Sequence, residues 1–276
     1  MSTLLTPKWI YSAPGADRPS FSPDGSQIVF HVQTGKINYS LWIVDADGCD
    51  PHLLYPPAGT ANPRASRPDW SWSPTISFGN NGAIWTINPD GSGAAPYYGG
   101  GVPPPPGLIY PSWCKDLGAI VAVAYRDNLS IAALYKLTLQ SVEQLTVSPK
   151  PCAGRPSVNP DGTKIAFAGN WGVCSQSENQ IWVVEPPNEP FQLEPGDPAS
   201  VQGRSPNWSP NGDLISFESF RQDPKKQSLA IWVMNSDGTC PRQITDAGVH
   251  AEWNRQQTQI VVASGGKIGI VDYSDI

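Results

Sequence analysis

A short segment built around a tight turn returns along this chain and constrains its fold more than any other feature. It reads Phe21-Ser22-Pro23-Asp24-Gly25, then Val158-Asn159-Pro160-Asp161-Gly162, then Trp208-Ser209-Pro210-Asn211-Gly212. Proline presets φ and glycine takes a positive φ, so each segment predicts a tight turn between two strands. Each turn is followed by an apolar second strand and then by a third strand with Trp among β-branched residues. A hairpin and a short fourth strand complete the unit. Four antiparallel strands joined in this way form one blade of a β-propeller.

Three weaker copies complete the series: two lie between the first and second clear copies, and one follows the third. The turn position of the six copies is occupied by Pro23, Pro74, Lys115, Pro160, Pro210 and Arg255. Successive positions lie 51, 41, 45, 50 and 45 residues apart, which matches the period of about 40–50 residues typical of propeller blades. The sequence therefore predicts an all-β, six-bladed propeller of four-stranded antiparallel blades, formed by one domain over residues 1–276.

The two ends of the chain complement each other. The sixth copy stops after its third strand, near Val271, whereas Lys8-Trp9-Ile10-Tyr11-Ser12 stands before the first copy, where a fourth strand would precede it. Pairing this N-terminal strand with the last blade would close the ring and remove two exposed sheet edges.

The repeated turn, with its Trp on the third strand, resembles the PD40 repeat of TolB-like propellers. The resemblance rests on residues 22–25, 159–162 and 209–212 and covers nearly the whole chain. WD40 propellers differ, because their Gly-His and Trp-Asp signatures are absent here. TolB itself has an additional N-terminal domain, for which this chain has no room. TolB-like propellers commonly act through partner proteins, so the resemblance implies a protein or peptide partner.

Composition excludes some classes of partner. The net charge is −6, the sequence pI is about 5.0, and Lys and Arg form no block, which argues against nucleic-acid binding. No apolar stretch reaches the roughly 18–20 residues of a membrane span, so we expect no membrane insertion. We also expect the protein to be a monomer. The segment from Met1 to Lys8 lacks the features of a signal peptide. Either the protein is cytoplasmic, or it is a periplasmic or secreted chain from which a signal peptide was removed.

The residues that enter each blade are the first candidates for a site, because they should meet at one mouth of the central channel. These residues are Arg18, Arg67 (or Asp69), Tyr110, Arg155, Arg204 (or Ser205) and His250. Guanidinium groups suit carboxylate or phosphate recognition. The alternative is structural, with each Arg pairing with an acidic residue of the neighbouring blade.

The loops between the second and third strands supply further candidates on the same face. They vary in sequence, and recognition often resides in variable loops on a rigid scaffold. Tyr39, Trp171 and Phe220 are aromatic candidates for partner contacts, and Arg221 follows Phe220. The alternative for Trp171 is that it caps its own blade.

Signatures of catalysis and of metal binding are absent. The chain has no G-x-S-x-G, no H-E-x-x-H and no C-x-x-C motif. Asp45-Ala46-Asp47-Gly48 lacks the frame of a calcium-binding EF-hand loop, so we expect no metal and no cofactor. Cys152 precedes blade four and Cys174 lies in a loop of that blade on the channel face, so in an oxidising compartment these two are the cysteine pair to test for a disulfide.

The sequence assigns no catalytic residue and leaves the question of catalysis open. It favours a recognition module that binds a protein segment or peptide at the channel face. The alternative is a pocket for a small anionic molecule or sugar in the same channel, with or without catalysis.

Overall fold

The structure of the protein is a computed structural model. It describes residues 4–97, 105–115, 118–126, 131–146, 153–169, 180–193, 203–220 and 229–274. Four residues discussed above lie outside the described residues: Cys152, Trp171, Cys174 and Arg221.

The first three blades follow one another along the chain. Blade one contains β2 (Ala16–Phe21), β3 (Gln27–Gln33), β4 (Tyr39–Asp45) and β5 (His52–Tyr55). Blade two contains β6 (Ser66–Asp69), β7 (Ile76–Asn80), β8 (Ala83–Ile87) and β9 (Ala95–Pro96). Blade three contains β10 (Leu108–Cys114), β11 (Ala119–Arg126), β12 (Ile131–Leu137) and β13 (Val142–Gln144).

The last three blades repeat this order, except that blade six takes its outer strand from the other end of the chain. Blade four contains β14 (Ala153–Val158), β15 (Ile165–Gly169), β16 (Gln180–Val184) and β17 (Phe191–Gln192). Blade five contains β18 (Arg204–Trp208), β19 (Leu214–Ser219), β20 (Ala230–Asn235) and β21 (Arg242–Gln243). Blade six contains β22 (Val249–Trp253), β23 (Gln259–Ser264), β24 (Lys267–Asp272) and β1 (Lys8–Ser12).

The predicted fold class is confirmed. All six sheets are antiparallel, and the first strand of each blade contacts the first strand of the next, including β22 with β2, so that the ring is closed around a channel. The described residues include no helix that is long and apolar enough to span a bilayer.

The repeated turn owes its shape to one carboxylate and one glycine. Asp24 accepts hydrogen bonds from the Ser22 hydroxyl (2.6 Å) and from the Ser26 N–H (3.0 Å), while the Gly25 N–H donates to the Ser22 carbonyl (2.9 Å). Gly25 has a φ of 76°, which glycine adopts without steric cost. In blade six the equivalent position is Gln257, with a φ of 56°. The turn therefore forms even where the Pro-Asp-Gly sequence is lost.

The hydrophobic core is divided among the blade interfaces. Each of six apolar clusters lies between two neighbouring blades, and none fills the channel. The cluster between blades six and one contains Phe30 and Val261, and Ile10 and Tyr11 of β1 pack against it. Burial of apolar surface thus holds blade to blade, and the closing strand takes part in it.

The N-terminal strand closes the ring as predicted. β1 pairs antiparallel with β24, with Lys8 opposite Ile270 and Ser12 opposite Lys267. The Tyr11 ring lies 4.7 Å from that of Phe30, measured between centroids, and Phe30 is fully buried. β1 therefore contributes both backbone pairing and aromatic packing to the contact between the last blade and the first.

A second device joins the blades nearer the channel, through one side chain from each first strand. We call this set the inner ring: Ser20, Asp69, Ser112, Ser157, Asn207 and Glu252. Five of them accept a hydrogen bond from a backbone N–H of the next blade: Trp70 to Ser20 (2.8 Å), Trp113 to Asp69 (2.6 Å), Val158 to Ser112 (3.2 Å), Trp208 to Ser157 (3.0 Å) and Trp253 to Asn207 (3.5 Å). Glu252 of the sixth blade accepts instead from the Ser20 hydroxyl of blade one (2.6 Å). These bonds pass once around the channel and return to blade one.

The aromatic contact of the closing strand can be tested by truncation. Tyr11→Ala removes the ring that packs on Phe30, so we expect the free energy of unfolding to fall by about 2 kcal/mol. The exposed Lys8→Ala in the same strand is the control and should stay within about 0.5 kcal/mol of the wild type. Urea unfolding measures both values. Equal stability of the two variants would show that the Tyr11–Phe30 contact does not hold the closure.

The inner ring predicts a pH-dependent difference between two substitutions of Glu252. Burial raises the pKa of Glu252 well above its usual value, and the charge of Asp69 acts in the same direction. A raised pKa means that the folded chain holds the proton more tightly than the unfolded chain. Stability is therefore fully present below the unfolded pKa of about 4.3 and is lost as the pH rises above it.

Glu252→Gln keeps an acceptor for the Ser20 hydroxyl without this dependence. We expect its melting temperature to gain on that of the wild type between pH 4.5 and pH 7. Glu252→Ala leaves the buried Ser20 hydroxyl without this acceptor and should cost about 1–3 kcal/mol at both pH values. Thermal unfolding at the two pH values checks both expectations. A Gln variant that loses stability relative to the wild type as the pH rises would contradict the assignment of a raised pKa.

Candidate functional site

The channel mouth is built from a β-bulge that every blade repeats. Between strands one and two of each blade the register shifts so that strand one carries one extra residue. One residue of each bulge has a positive φ of 47–56°. We call these residues the mouth ring: Arg18, Arg67, Tyr110, Arg155, Ser205 and His250. Bulges of this kind re-aim a side chain, and all six of these residues line the channel.

The choice of residue at these bulges is informative. Glycine would adopt the positive φ without strain, whereas a non-glycine residue held there is strained. Five of the six positions nevertheless carry a large Arg, Tyr or His side chain. Backbone strain at positions that meet in one cavity is typical of sites where the side chains themselves have a task.

The structure places the predicted site residues as follows. The candidates were expected just before strand one, but they lie within it, at the bulge; Arg18, for example, is inside β2. Blade five contributes Ser205 to the mouth ring, whereas the Arg204 guanidinium lies 5.7 Å from the centroid of Phe220. Tyr39 lies at the start of β4 and packs against His31, with 5.1 Å between ring centroids.

One side of the mouth ring is cationic. The guanidinium carbons of Arg18 and Arg67 lie 5.1 and 4.6 Å from the centroid of the Tyr110 ring, in cation–π geometry. Arg67 donates to the Ser66 hydroxyl (3.2 Å), but its Nε is buried without a hydrogen-bond partner. Within the described part of the chain, no carboxylate forms an ion pair with either guanidinium. Two guanidiniums therefore meet at the channel without a carboxylate in direct contact, although the charge of Asp17 acts on Arg18 and opposes the lowering of its pKa by burial.

Arg155 differs from these two because its charge is matched inside the protein. Its Nη1 lies 3.5 Å from Oε2 of the fully buried Glu218 and donates to the Ser205 hydroxyl. Arg155 also donates a hydrogen bond to the Tyr110 hydroxyl. Arg155 thus orients Tyr110 and Ser205, and the structural alternative considered from the sequence, pairing with an acid of the neighbouring blade, applies to this arginine.

His250 completes the ring beside two carboxylates. Its Nδ1 lies 2.7 Å from Asp17 Oδ1, and its backbone N–H donates to Glu218 Oε1 (2.7 Å). Burial and the charge of Arg18 lower the pKa of His250, against the opposing effect of both carboxylates. Burial raises the pKa of Asp17, but the hydrogen bond with His250 and the nearby positive charges lower it by more.

These shifts assign the protons. Asp17 is ionised at neutral pH and can only accept a hydrogen bond, so Nδ1 of a neutral His250 carries the proton. Nε2 then has a free lone pair. It is buried and has no hydrogen-bond partner in the structure, and its nearest charged neighbour, Glu218 Oε1, is 3.7 Å away.

The cavity that these residues share is small. Its enclosed part measures about 120 Å³ and continues into open solvent. Sites for drug-sized molecules typically enclose about 300–1,000 Å³, so this one has room for a small chemical group. Among the described residues no three His, Cys, Asp or Glu side chains are arranged to hold a metal ion. The cavity thus offers unpaired guanidinium donors at one side and an imidazole acceptor at another.

Sequence reasoning missed three residues that organise the site. Asp17 and Glu218 flank His250, and His31 accepts a hydrogen bond from the Arg67 backbone N–H (3.1 Å) through its Nδ1. Burial, followed by the charge of Arg18, lowers the pKa of His31 to about 3, so the ring is a neutral acceptor. A signal did exist for two of them: His31 and Glu218 are titratable residues in the predicted second strands of blades one and five, where most neighbouring residues are buried.

The cysteines that the structure describes form no disulfide. Cys49 and Cys240 are exposed and free, and Cys114 is buried and free. The predicted pair of Cys152 and Cys174 lies outside the described residues and stays a prediction.

The arginines should make Tyr110 the most acidic phenol of the protein. Burial raises its pKa, but the charges of Arg18, Arg67 and Arg155 lower it by more, to about 8. We expect one tyrosinate to appear between pH 7 and 9, seen as absorbance at 295 nm, and to be missing in Tyr110→Phe. Overlapping titrations of the wild type and this variant below pH 9.5 would contradict the convergence of the three charges.

Comparisons with known proteins agree with this architecture. No family model matches the chain, and no curated protein matches it by sequence. Among solved structures, it is similar to a TolB-type protein of Agrobacterium tumefaciens, with 17% identity, a TM-score of 0.69, and coverage of 96% of this chain and 92% of that chain.

Two further solved structures carry other functions on the same fold. A gluconolactonase of Xanthomonas campestris has 14% identity and a TM-score of 0.68, covering 96% of this chain and 88% of that chain. The calcium-binding protein regucalcin of Agrobacterium tumefaciens has 9% identity and a TM-score of 0.70, covering 98% and 95%. The fold is therefore compatible with binding and with catalysis. The chain has the six-bladed β-propeller fold found in TolB.

Proposed function

We propose that this protein is a recognition module that binds an acidic segment of a partner protein at the mouth ring. The proposal is carried by one observation: the guanidiniums of Arg18 and Arg67 face the channel beside Tyr110 and have no carboxylate partner among the described residues. An incoming carboxylate or other anion would supply the charge that the protein does not.

The electrostatics favour such a partner. Burial of a cation without an anion is costly, so a bound carboxylate offsets an existing penalty rather than replacing an internal ion pair. Burial and the charges of Arg155 and Arg67 lower the pKa of Arg18, but only to about 10, so it stays charged at neutral pH. The chain as a whole has a charge of −6. A positive cleft in an acidic surface attracts an anionic group to one place.

The shape of the mouth also suits a protein segment. The cavity is lined by the first strands of the six blades and by residues of the turns that follow them, among them Trp72, Pro210 and Arg255. A segment that entered the channel would contact several blades at once. Such contacts supply specificity while the buried guanidiniums supply the anchor.

A second candidate function is favoured by the polarity of the same cavity. An enclosed space of about 120 Å³ lined by Arg, Tyr and His suits the anionic group of a small molecule or of a sugar acid. In this case the neutral His250, paired with Asp17, would be the group placed to accept a proton or a hydrogen bond from the ligand. The two candidates share the anion site and differ in what carries the anion.

Charge removal at the mouth distinguishes a site from a structural cluster. We expect the wild type to retain at least ten times as much partner protein from native extract as the Arg18→Gln, Arg67→Gln double variant does. Arg242→Gln is the matched control, because Arg242 also stacks on a tyrosine, Tyr273, at 5.5 Å, but on the outer part of blade five. Quantitative mass spectrometry of the retained proteins gives the ratio, and melting temperatures show that the variants fold.

Two outcomes would overturn the recognition proposal. Equal retention by the double variant and the wild type would mean that any partner binds elsewhere. Retention of no specific protein by the wild type, together with a small anion found in the native mass spectrum and lost from the double variant, would favour the second candidate.

A further inference from the structure

We propose that the group bound by the mouth ring is the free C-terminus of a polypeptide. The terminal carboxylate binds to Arg18 and Arg67, and the amide N–H of the last residue donates to Nε2 of His250. This inference rests on the proposed function, because it specifies which part of a partner segment enters the channel.

The first step of the argument is the donor set beside Tyr110. Arg67 has a buried Nε without a partner, and its Nη1 is engaged only by the neutral Ser66 hydroxyl. The Arg18 guanidinium carbon also lies over the Tyr110 ring, 5.1 Å from its centroid. These contacts with Tyr110 hold both guanidiniums at the channel without using their N–H groups. A carboxylate is the planar anion that such forks bind with two parallel hydrogen bonds.

The second step is the acceptor at His250. Asp17 is at Nδ1 (2.7 Å), so Nε2 is an acceptor that is buried and unfilled. A ligand that only carried negative charge would leave this lone pair unsatisfied, which costs free energy. The ligand that satisfies the whole cavity therefore has a carboxylate and, close to it, a hydrogen-bond donor.

A polypeptide C-terminus has this combination in its last residue, where the amide N–H is separated from the carboxylate by one carbon. The side chains of Asp and Glu carry a carboxylate without a donor at that spacing. A 2-hydroxy acid has the same chemistry in a free small molecule, so the two sources must be separated by experiment.

The third step is access. The mouth ring surrounds the channel on all sides, since each of the six blades contributes one residue. A chain end can enter along the channel axis. An internal segment would have to enter and return through the same opening, which requires a tight loop in an enclosed space of about 120 Å³. A C-terminus thus reaches the arginines with less conformational restriction.

The test uses four probes of one length with the wild-type protein, titrated by isothermal calorimetry. The first is N-acetyl-Ala-Ala-Ala with a free carboxylate, and the second is its C-terminal amide. The third is N-acetyl-Ala-Asp-Ala amide, which moves the carboxylate to a side chain. The fourth is the free acid in which an ester oxygen replaces the last amide N–H. Lactate serves as the small hydroxy acid.

We expect the free acid to bind at least tenfold more tightly than the amide and the side-chain carboxylate, and several-fold more tightly than the ester. The advantage of the free acid over the amide should vanish in the Arg18→Gln, Arg67→Gln variant and persist in Arg242→Gln. The advantage over the ester should vanish in His250→Phe. The comparison among probes requires only the wild type, so it stands even if a variant fails to fold.

The contrary results are distinct. If the Asp peptide binds as well as the free acid, the C-terminus is not what the site reads, and the proposed recognition of an acidic segment survives. If the free acid and the amide bind equally, the inference is wrong. If lactate binds as tightly as the tripeptide, the inference and the proposed function are both wrong, and the small-molecule pocket is favoured.

Discussion

The closed set of hydrogen bonds in the inner ring is the interaction on which the rest of this structure depends. Each of the first five blades offers one oxygen atom to a backbone N–H of the next, and Glu252 of the sixth blade accepts from the Ser20 hydroxyl of the first. Apolar packing between blades is not directional and would tolerate sliding. Hydrogen bonds have a preferred distance and angle, so the ring fixes how each blade is rotated relative to its neighbours.

That fixed geometry explains how a channel lined with charge is stable. The apolar side chains pack between the blades, and the polar ones face the channel in two layers. One layer is the inner ring, whose hydrogen bonds are made within the protein. The other is the mouth ring, whose hydrogen bonds are made only in part: Arg155, Ser205 and Glu218 interact with one another, while Arg67 Nε and His250 Nε2 have no hydrogen-bond partner. A rigid inner ring allows the strained residues of the mouth ring to persist two positions away along the same strand.

The fold followed from the sequence because its determinants are local. A Pro-Asp-Gly turn and a Trp on the third strand each act within one blade, and repetition at a steady spacing predicts the number of blades. Closure by β1 followed from counting the strands at both ends. The candidate site was only partly accessible in this way. Choosing between Arg204 and Ser205 requires the position of the bulge, since a shift of one residue turns a side chain to the other face of the strand.

The partners of the mouth ring were harder to predict, for a different reason. Asp17 of blade one interacts with His250 of blade six, and Glu218 of blade five with Arg155 of blade four, so each pairing crosses a boundary between blades. These pairings depend on which residues of two neighbouring strands lie at the same level along the channel. The period of the repeat does not determine that level, although a carboxylate among buried strand residues marks Glu218 as a residue that needs a partner.

The shared sheet of blade six has a consequence for how this chain reaches its native state. Lys8 pairs with Ile270, so β1 is synthesised long before β24, the strand with which it pairs. Until then β1 and its aromatic side chains have no sheet to join, and blades one to five form an open arc with two unpaired faces. Such contacts between distant residues slow folding, and exposed strand edges favour association with other chains. For a ribosome-bound chain, the hazardous interval therefore lasts until β24 has left the exit tunnel and the ring can close.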